Sequence, residues 1–135
     1  MTYDDGSMSP IFKTIPNKYP ERDHFVTVKI AIKECDSNFS KIVVSYIPDK
    51  LMLEAHSLES IIAHEFTSAK GRLLEDLLKH ISDSISPRYI EVEGTTKDAK
   101  TNIINWGRPN SKYYTIATKR LLNNEWFSRE GYHTL

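Results

Sequence analysis

The 135-residue chain has a single cysteine, Cys35, so no internal disulfide can staple it. One cysteine and five scattered histidines also form no zinc-finger spacing. Net charge is lacking too: 18 Lys+Arg balance 18 Asp+Glu, which leaves no basic footprint for DNA or RNA. No apolar run approaches the ~18 residues of a membrane span. The opening Met1-Thr2-Tyr3-Asp4-Asp5 lacks the basic and then apolar character of a secretory leader. No Gly-x-Gly-x-x-Gly is present to cradle a dinucleotide, and no internal repeat or low-complexity tract appears. What is there is 39% hydrophobic and 27% charged residues, enough for a modest core at a length that suits one domain. These features lead us to expect a soluble, cytoplasmic protein with an irregular arm over residues 1–20 and a single domain over 21–135.

Prolines at positions 10, 16 and 20 disfavour helix in the arm, although Phe12 and Ile15 could anchor it on a core. Residues 25–34 (FVTVKIAIKE) place Val26, Val28, Ile30 and Ile32 on one face, the period of a half-buried strand. The turn-forming residues Cys35-Asp36-Ser37-Asn38 lead into 40–47 (SKIVVSYI), a second strand, so the pair reads as an antiparallel hairpin closed by Pro48-Asp49. Ser57, ahead of Leu58, Ile61 and Ile62, reads as a helix N-cap. Leu73, Leu74, Leu77, Leu78, Ile81 and Ile85 recur at three- and four-residue spacing and predict an amphipathic helix that stops before Pro87. Residues 88–93 alternate again, 95–100 read as a polar turn, and 101–106 as a further strand. Residues 113–122 fit strand or helix equally well. The expected class is α+β, with the order β-β-α-α-β-β, an antiparallel sheet and helices on one face. Open sheet edges in a chain this small make homo-oligomer formation the expectation.

Several segments, in order over residues 15–115, carry a resemblance. They are Pro16-Asn17-Lys18, Arg22-Asp23-His24-Phe25-Val26, Val44-Ser45-Tyr46-Ile47-Pro48-Asp49, Ser86-Pro87-Arg88-Tyr89-Ile90-Glu91-Val92, and Asn105-Trp106-Gly107-Arg108-Pro109 with Lys112-Tyr113. Together they resemble the QueF-type family, the NADPH-dependent 7-cyano-7-deazaguanine reductases of queuosine biosynthesis. The resemblance implies a tunnelling fold (T-fold), whose sheets join between subunits and whose purine- or pterin-like ligands sit at subunit interfaces. It also implies a chemistry. A cysteine thiolate attacks a nitrile to form a thioimide, an aspartate handles protons, NADPH delivers hydride, and a His-Glu pair opening the second helix recognises the heterocycle.

Carried onto this chain, the catalytic pair falls on Cys35 and Asp36, with Asn38 nearby, in a connection shorter than the family's and without its Cys-Pro. The bland alternative for Cys35 is a lone cysteine in a turn. Counting back from Pro87 puts Lys70-Gly71-Arg72 where the recognition pair belongs, and Gly71 has no side chain to accept a hydrogen bond. Candidate ligand contacts are therefore Glu65, in His64-Glu65 six residues upstream, and Arg72, which suits an anion near a helix N-terminus; Glu75-Asp76 is a further option. The cofactor segment retains Glu54 and Ser57 as candidate NADPH contacts, but His56 and Glu59 stand where the family has lysines, and Glu59 would repel a phosphate. Trp106 and Trp126 could stack on a base or simply pack. Arg88 and Arg108 could line an interface or be surface charges, and His24 reads as a structural hydrogen-bonding histidine. The sequence thus points to a diverged family member that binds a purine- or pterin-like ligand. An active reductase using Cys35 and NADPH is the alternative.

Overall fold

Alternation becomes a sheet and helical spacing becomes a helix in the computed structural model, which describes residues 11–32, 38–66 and 73–107. The elements are β1 (Thr14–Pro16), β2 (Val26–Ala31), β3 (Phe39–Ile47), β4 (Leu51–Leu53), α1 (Ala55–Glu65), α2 (Leu74–Ile85), β5 (Tyr89–Thr96) and β6 (Thr101–Gly107). Strands β2, β3, β5 and β6 form one antiparallel sheet in that order, and β1 pairs with β4 in a second, two-stranded sheet. With both helices between the two hairpins, this is the β-β-α-α-β-β arrangement of a T-fold-like subunit.

Because successive strand side chains point to opposite faces, the register decides what meets the helices. Val28 opposes Val44, which opposes Val92, which in turn opposes Ile104. Ile42, Val44, Tyr46, Ile90, Val92 and Ile104 are all fully buried on this face. Against them lie Leu58 and Ile62 of α1 and Leu77, Leu78, Ile81 and Ile85 of α2. Each such side chain contributes about 1.5–3 kcal/mol of burial. Pro87 follows a left-handed C-cap at Ser86 (φ 46°, ψ 59°), so α2 stops where the sequence indicates.

Four local readings need correction. The arm is not irregular throughout, since Thr14–Pro16 pairs with Leu51–Leu53. Neither three-residue strand is long enough to show a period, and only their mutual pairing makes them strands. In the arm Phe12 is buried, whereas Ile15 stays 43% exposed. The first helix begins at Ala55, and its N-cap is Glu54 instead of Ser57. Thr95 and Thr96 belong to β5, because Thr96 donates its backbone N–H to the Lys100 carbonyl, and the connection to β6 shortens to residues 97–100. Residues 113–122, Trp126 and Arg108 lie outside the described residues.

Candidate functional site

The two connections that matter most for chemistry leave the fold at the same end of the sheet. One links β2 to β3 and the other links α1 to α2. Ile32 donates its N–H to the Ser40 carbonyl at 2.9 Å, and Lys97 donates to the Asn38 carbonyl at 3.2 Å. Phe39, the first residue of β3, packs edge-on against Phe66 at the end of α1, with ring centroids 5.7 Å apart. Leu74, the first residue of α2, closes the same corner over Gly94. A Cβ on Gly94 would come within 2.7 Å of Phe39 Cε1 and 2.9 Å of Leu74 Cδ1. The described residues on either side of 33–37 and of 67–72 are therefore neighbours. Cys35, Asp36 and Arg72 themselves lie outside the described residues. Glu65, the last residue of α1, is half-buried at this end.

Beside Gly94 in the register sits Asn102, whose Oδ1 is buried and accepts no hydrogen bond from the described residues. No local pattern marks this residue. Its position next to the corner depends on β5–β6 pairing, so it was invisible to sequence reasoning. Among the described residues, no group of three His, Cys, Asp or Glu side chains is placed to hold a metal ion.

The other two candidate residues form a local motif. Glu54 Oε1 accepts from the His56 N–H at 3.1 Å, and Oε2 accepts from the Ser57 N–H at 2.9 Å. The Ser57 amide is the chief reason its carboxyl is held below the usual glutamate range; the His56 amide and the positive charges of His56 and Lys13 add to this. A helix N-terminus offers its free amides to an anion, and here the chain's own carboxylate occupies two of them. His56 and Glu59 are exposed on the same turn. The contacts Glu54 and Ser57 make here are those of a cap.

The segments carrying the family resemblance converge on Arg88. Its guanidinium donates to Asp23 Oδ1 at 3.1 Å, to Asp49 Oδ1 at 3.2 Å, to the Arg22 carbonyl at 3.4 Å and to the Pro20 carbonyl. Asn17 joins from the other side: its Nδ2 donates to the Asp49 carbonyl at 2.6 Å, and its Oδ1 accepts from the Tyr19 N–H. Three stretches far apart in sequence thus lock the approach to β2, the β3–β4 connection and the start of β5 together. Within the chain, Arg88 is an ion-paired clamp and not a plain surface charge. His24, next to Asp23, buries Nδ1 without a hydrogen-bond partner among the described residues.

On the helix-free face, Thr27, Ser45, Glu91 and Asn105 fall in one transverse row. Thr27 and Ser45 hydroxyls meet at 3.2 Å, Asn105 Nδ2 donates to Tyr89 Oη at 3.2 Å, and the Tyr89 hydroxyl donates to Glu91 Oε2 at 3.4 Å. These hydrogen bonds tie the row together, so we assign them to sheet cohesion; the buried Asn105 Oδ1 takes no part in them.

No family model matches the chain. Among curated proteins it is similar to an NADPH-dependent 7-cyano-7-deazaguanine reductase of Bacillus velezensis, with 32% identity over 131 residues, 87% of this chain and 79% of the relative. The enzyme of the same name from Bacillus subtilis is 32% identical over 129 residues, covering 85% of this chain and 77% of the relative. That of Bacteroides fragilis is 32% identical over 129 residues, covering 85% and 84%.

Proposed function

Since the chain belongs to the family of NADPH-dependent 7-cyano-7-deazaguanine reductases, we propose that it binds a purine- or pterin-like heterocycle and has largely lost the nitrile reduction. The observation that carries this reading is the first turn of α1. There Glu54 holds the helix amides while His56 and Glu59 replace the family's two lysines, so a dinucleotide phosphate would meet a carboxylate that already draws on the nearby charge of Lys13. Gly71, in place of the recognition glutamate, supports the same conclusion.

The ligand site we propose is the corner where Phe39, Phe66, Leu74 and Gly94 meet, between the Cys35 turn and Arg72. It is completed by a second subunit, the β2 and β6 edges of the four-stranded sheet being the joining strands. Arg72 and the α2 amides favour an acceptor-rich or oxyanion-bearing ring, and Glu65 is the acid at this end that a guanine-type edge would meet. Calorimetry with purines, pterins and 7-cyano-7-deazaguanine on wild type, Cys35→Ala and Arg72→Ala tests this. Binding that survives Cys35→Ala and weakens in Arg72→Ala is expected. Sedimentation as a monomer at micromolar concentration would remove the interface site.

The second reading is an active reductase in which Cys35 is the nucleophile, Asp36 moves the proton and NADPH is the cofactor. The roughly one-third identity to enzymes of that name favours it. Nitrile-dependent NADPH oxidation, together with a thioimide adduct in the intact mass that disappears in Cys35→Ser, would establish it over the first.

A further inference from the structure

Away from that corner, at the opposite end of α2, the helix meets β6 across an open cavity of about 370 Å³. Leu78, Lys79, Ser82, Asp83, Ser86, Pro87 and Trp106 line it. The volume lies at the lower end of the range of small-molecule sites. Four features of its wall agree in sign. The C-terminal turn of α2 carries the negative end of the helix dipole and contains no basic residue to offset it. Asp83 stands on that turn, exposed and in no ion pair with any described residue. Trp106, half-buried on β6, adds a π-face, the aromatic surface with the strongest attraction for cations. Ser82, which also lines the cavity, has a buried Oγ with no hydrogen-bond partner among the described residues, so a small turn of its side chain would offer a lone pair to a donor. Leu78 and Pro87 supply an apolar floor for the body of a ligand.

We propose that this cavity is a binding site for a small organic cation, an ammonium or amidinium on an aromatic or apolar body. In it the cationic group faces Asp83, the Ser82 hydroxyl and the α2 C-terminus, and the body lies against Trp106. Lys79, one turn earlier on the same helix, is the one positive charge among the lining residues. It is exposed, and its flexible stem lets the ammonium turn to solvent, so it weakens the site without closing it. The site is separate from the corner at the α2 N-terminus and does not rest on the ligand or activity assigned there.

The test uses benzamidinium as the probe, with benzoate and benzyl alcohol as anionic and neutral partners of similar size. Binding to the full chain is followed by protein-detected NMR titration at low salt. Saturable benzamidinium binding with shifts at the Trp106 indole is expected, with benzoate and benzyl alcohol at least about tenfold weaker. Asp83→Asn should weaken the probe about tenfold, and Lys79→Met should tighten it a few-fold, because the two charges act with opposite sign. Ser82→Ala should lower affinity several-fold while leaving thermal stability little changed, since its hydroxyl bonds to no described residue. The Asp83 and Lys79 changes are at exposed positions, so misfolding cannot mask the answer. Equal binding of benzoate, absence of saturation, or an Asp83→Asn variant that binds as wild type would overturn the proposal.

Discussion

Replacing Arg88 by alanine tests the reading of the motif residues most directly. The guanidinium makes four hydrogen bonds, two to carboxylates and two to backbone carbonyls, and its side chain is 17% exposed. Hydrogen bonds to a charged group contribute about 1.5–3 kcal/mol each when well shielded, whereas exposed pairs contribute about 0–1 kcal/mol. The partners Asp23 and Asp49 are 30% and 24% exposed, so water can recover much of what they lose. The Pro20 and Arg22 carbonyls lie on the segment that leads into β2, which Arg88 ties to the start of β5. We expect Arg88→Ala to cost about 2–4 kcal/mol, or roughly 10 °C in Tm for a domain of this size. Urea unfolding at fixed protein concentration measures it. A double-mutant cycle with Asp49→Asn should return about 1 kcal/mol of coupling, shrinking at high salt. Arg88→Lys should recover less than half, because one ammonium cannot reach the divergent acceptors that a planar fork spans. A loss below about 0.5 kcal/mol in Arg88→Ala would refute the clamp.

Tyr46→Phe should cost about 1–3 kcal/mol in chemical denaturation, because the buried hydroxyl accepts the Leu53 N–H and its removal orphans that donor inside the core. Burial also holds the Tyr46 phenol above its ordinary pKa, so ultraviolet titration should find it ionising later than the exposed tyrosines. Gly94→Ala should destabilise by about 1–3 kcal/mol, since the new methyl overlaps Phe39 and Leu74; relief by the added change Leu74→Ala would identify the clash. For Glu54 the folded carboxyl is depressed, so its contribution is fully present above its ordinary value near 4.5 and is lost as the pH falls through the lower folded value. A Glu54→Gln variant should therefore be less stable than wild type at neutral pH, with the gap closing in acid; a gap that is constant with pH would show that the charge plays no part.

Much of this fold was legible without coordinates. The alternation of Val26, Val28, Ile30 and Ile32 and the spacing from Leu74 to Ile85 encode which face is buried, because one-sided burial imposes the period of the local backbone on the sequence. The hairpin, the two helices and the closing pair of strands follow from such local signals, as does the family, whose motifs are short contiguous words. The tertiary structure decided what those words do. Asn17, Asp23, Asp49 and Arg88 are separate in the chain, and only folding shows them as one polar lock. The β1–β4 ribbon, the Asn102 acceptor beside Gly94 and the cavity joining α2 to Trp106 are likewise products of pairing between distant segments. Even the Glu54 cap eluded the sequence, because the backbone turned into a helix two residues before Ser57, the residue with the more familiar capping side chain. Periodicity reports burial residue by residue, whereas partnership across the chain is set by which surfaces pack, and no single stretch of sequence contains that information.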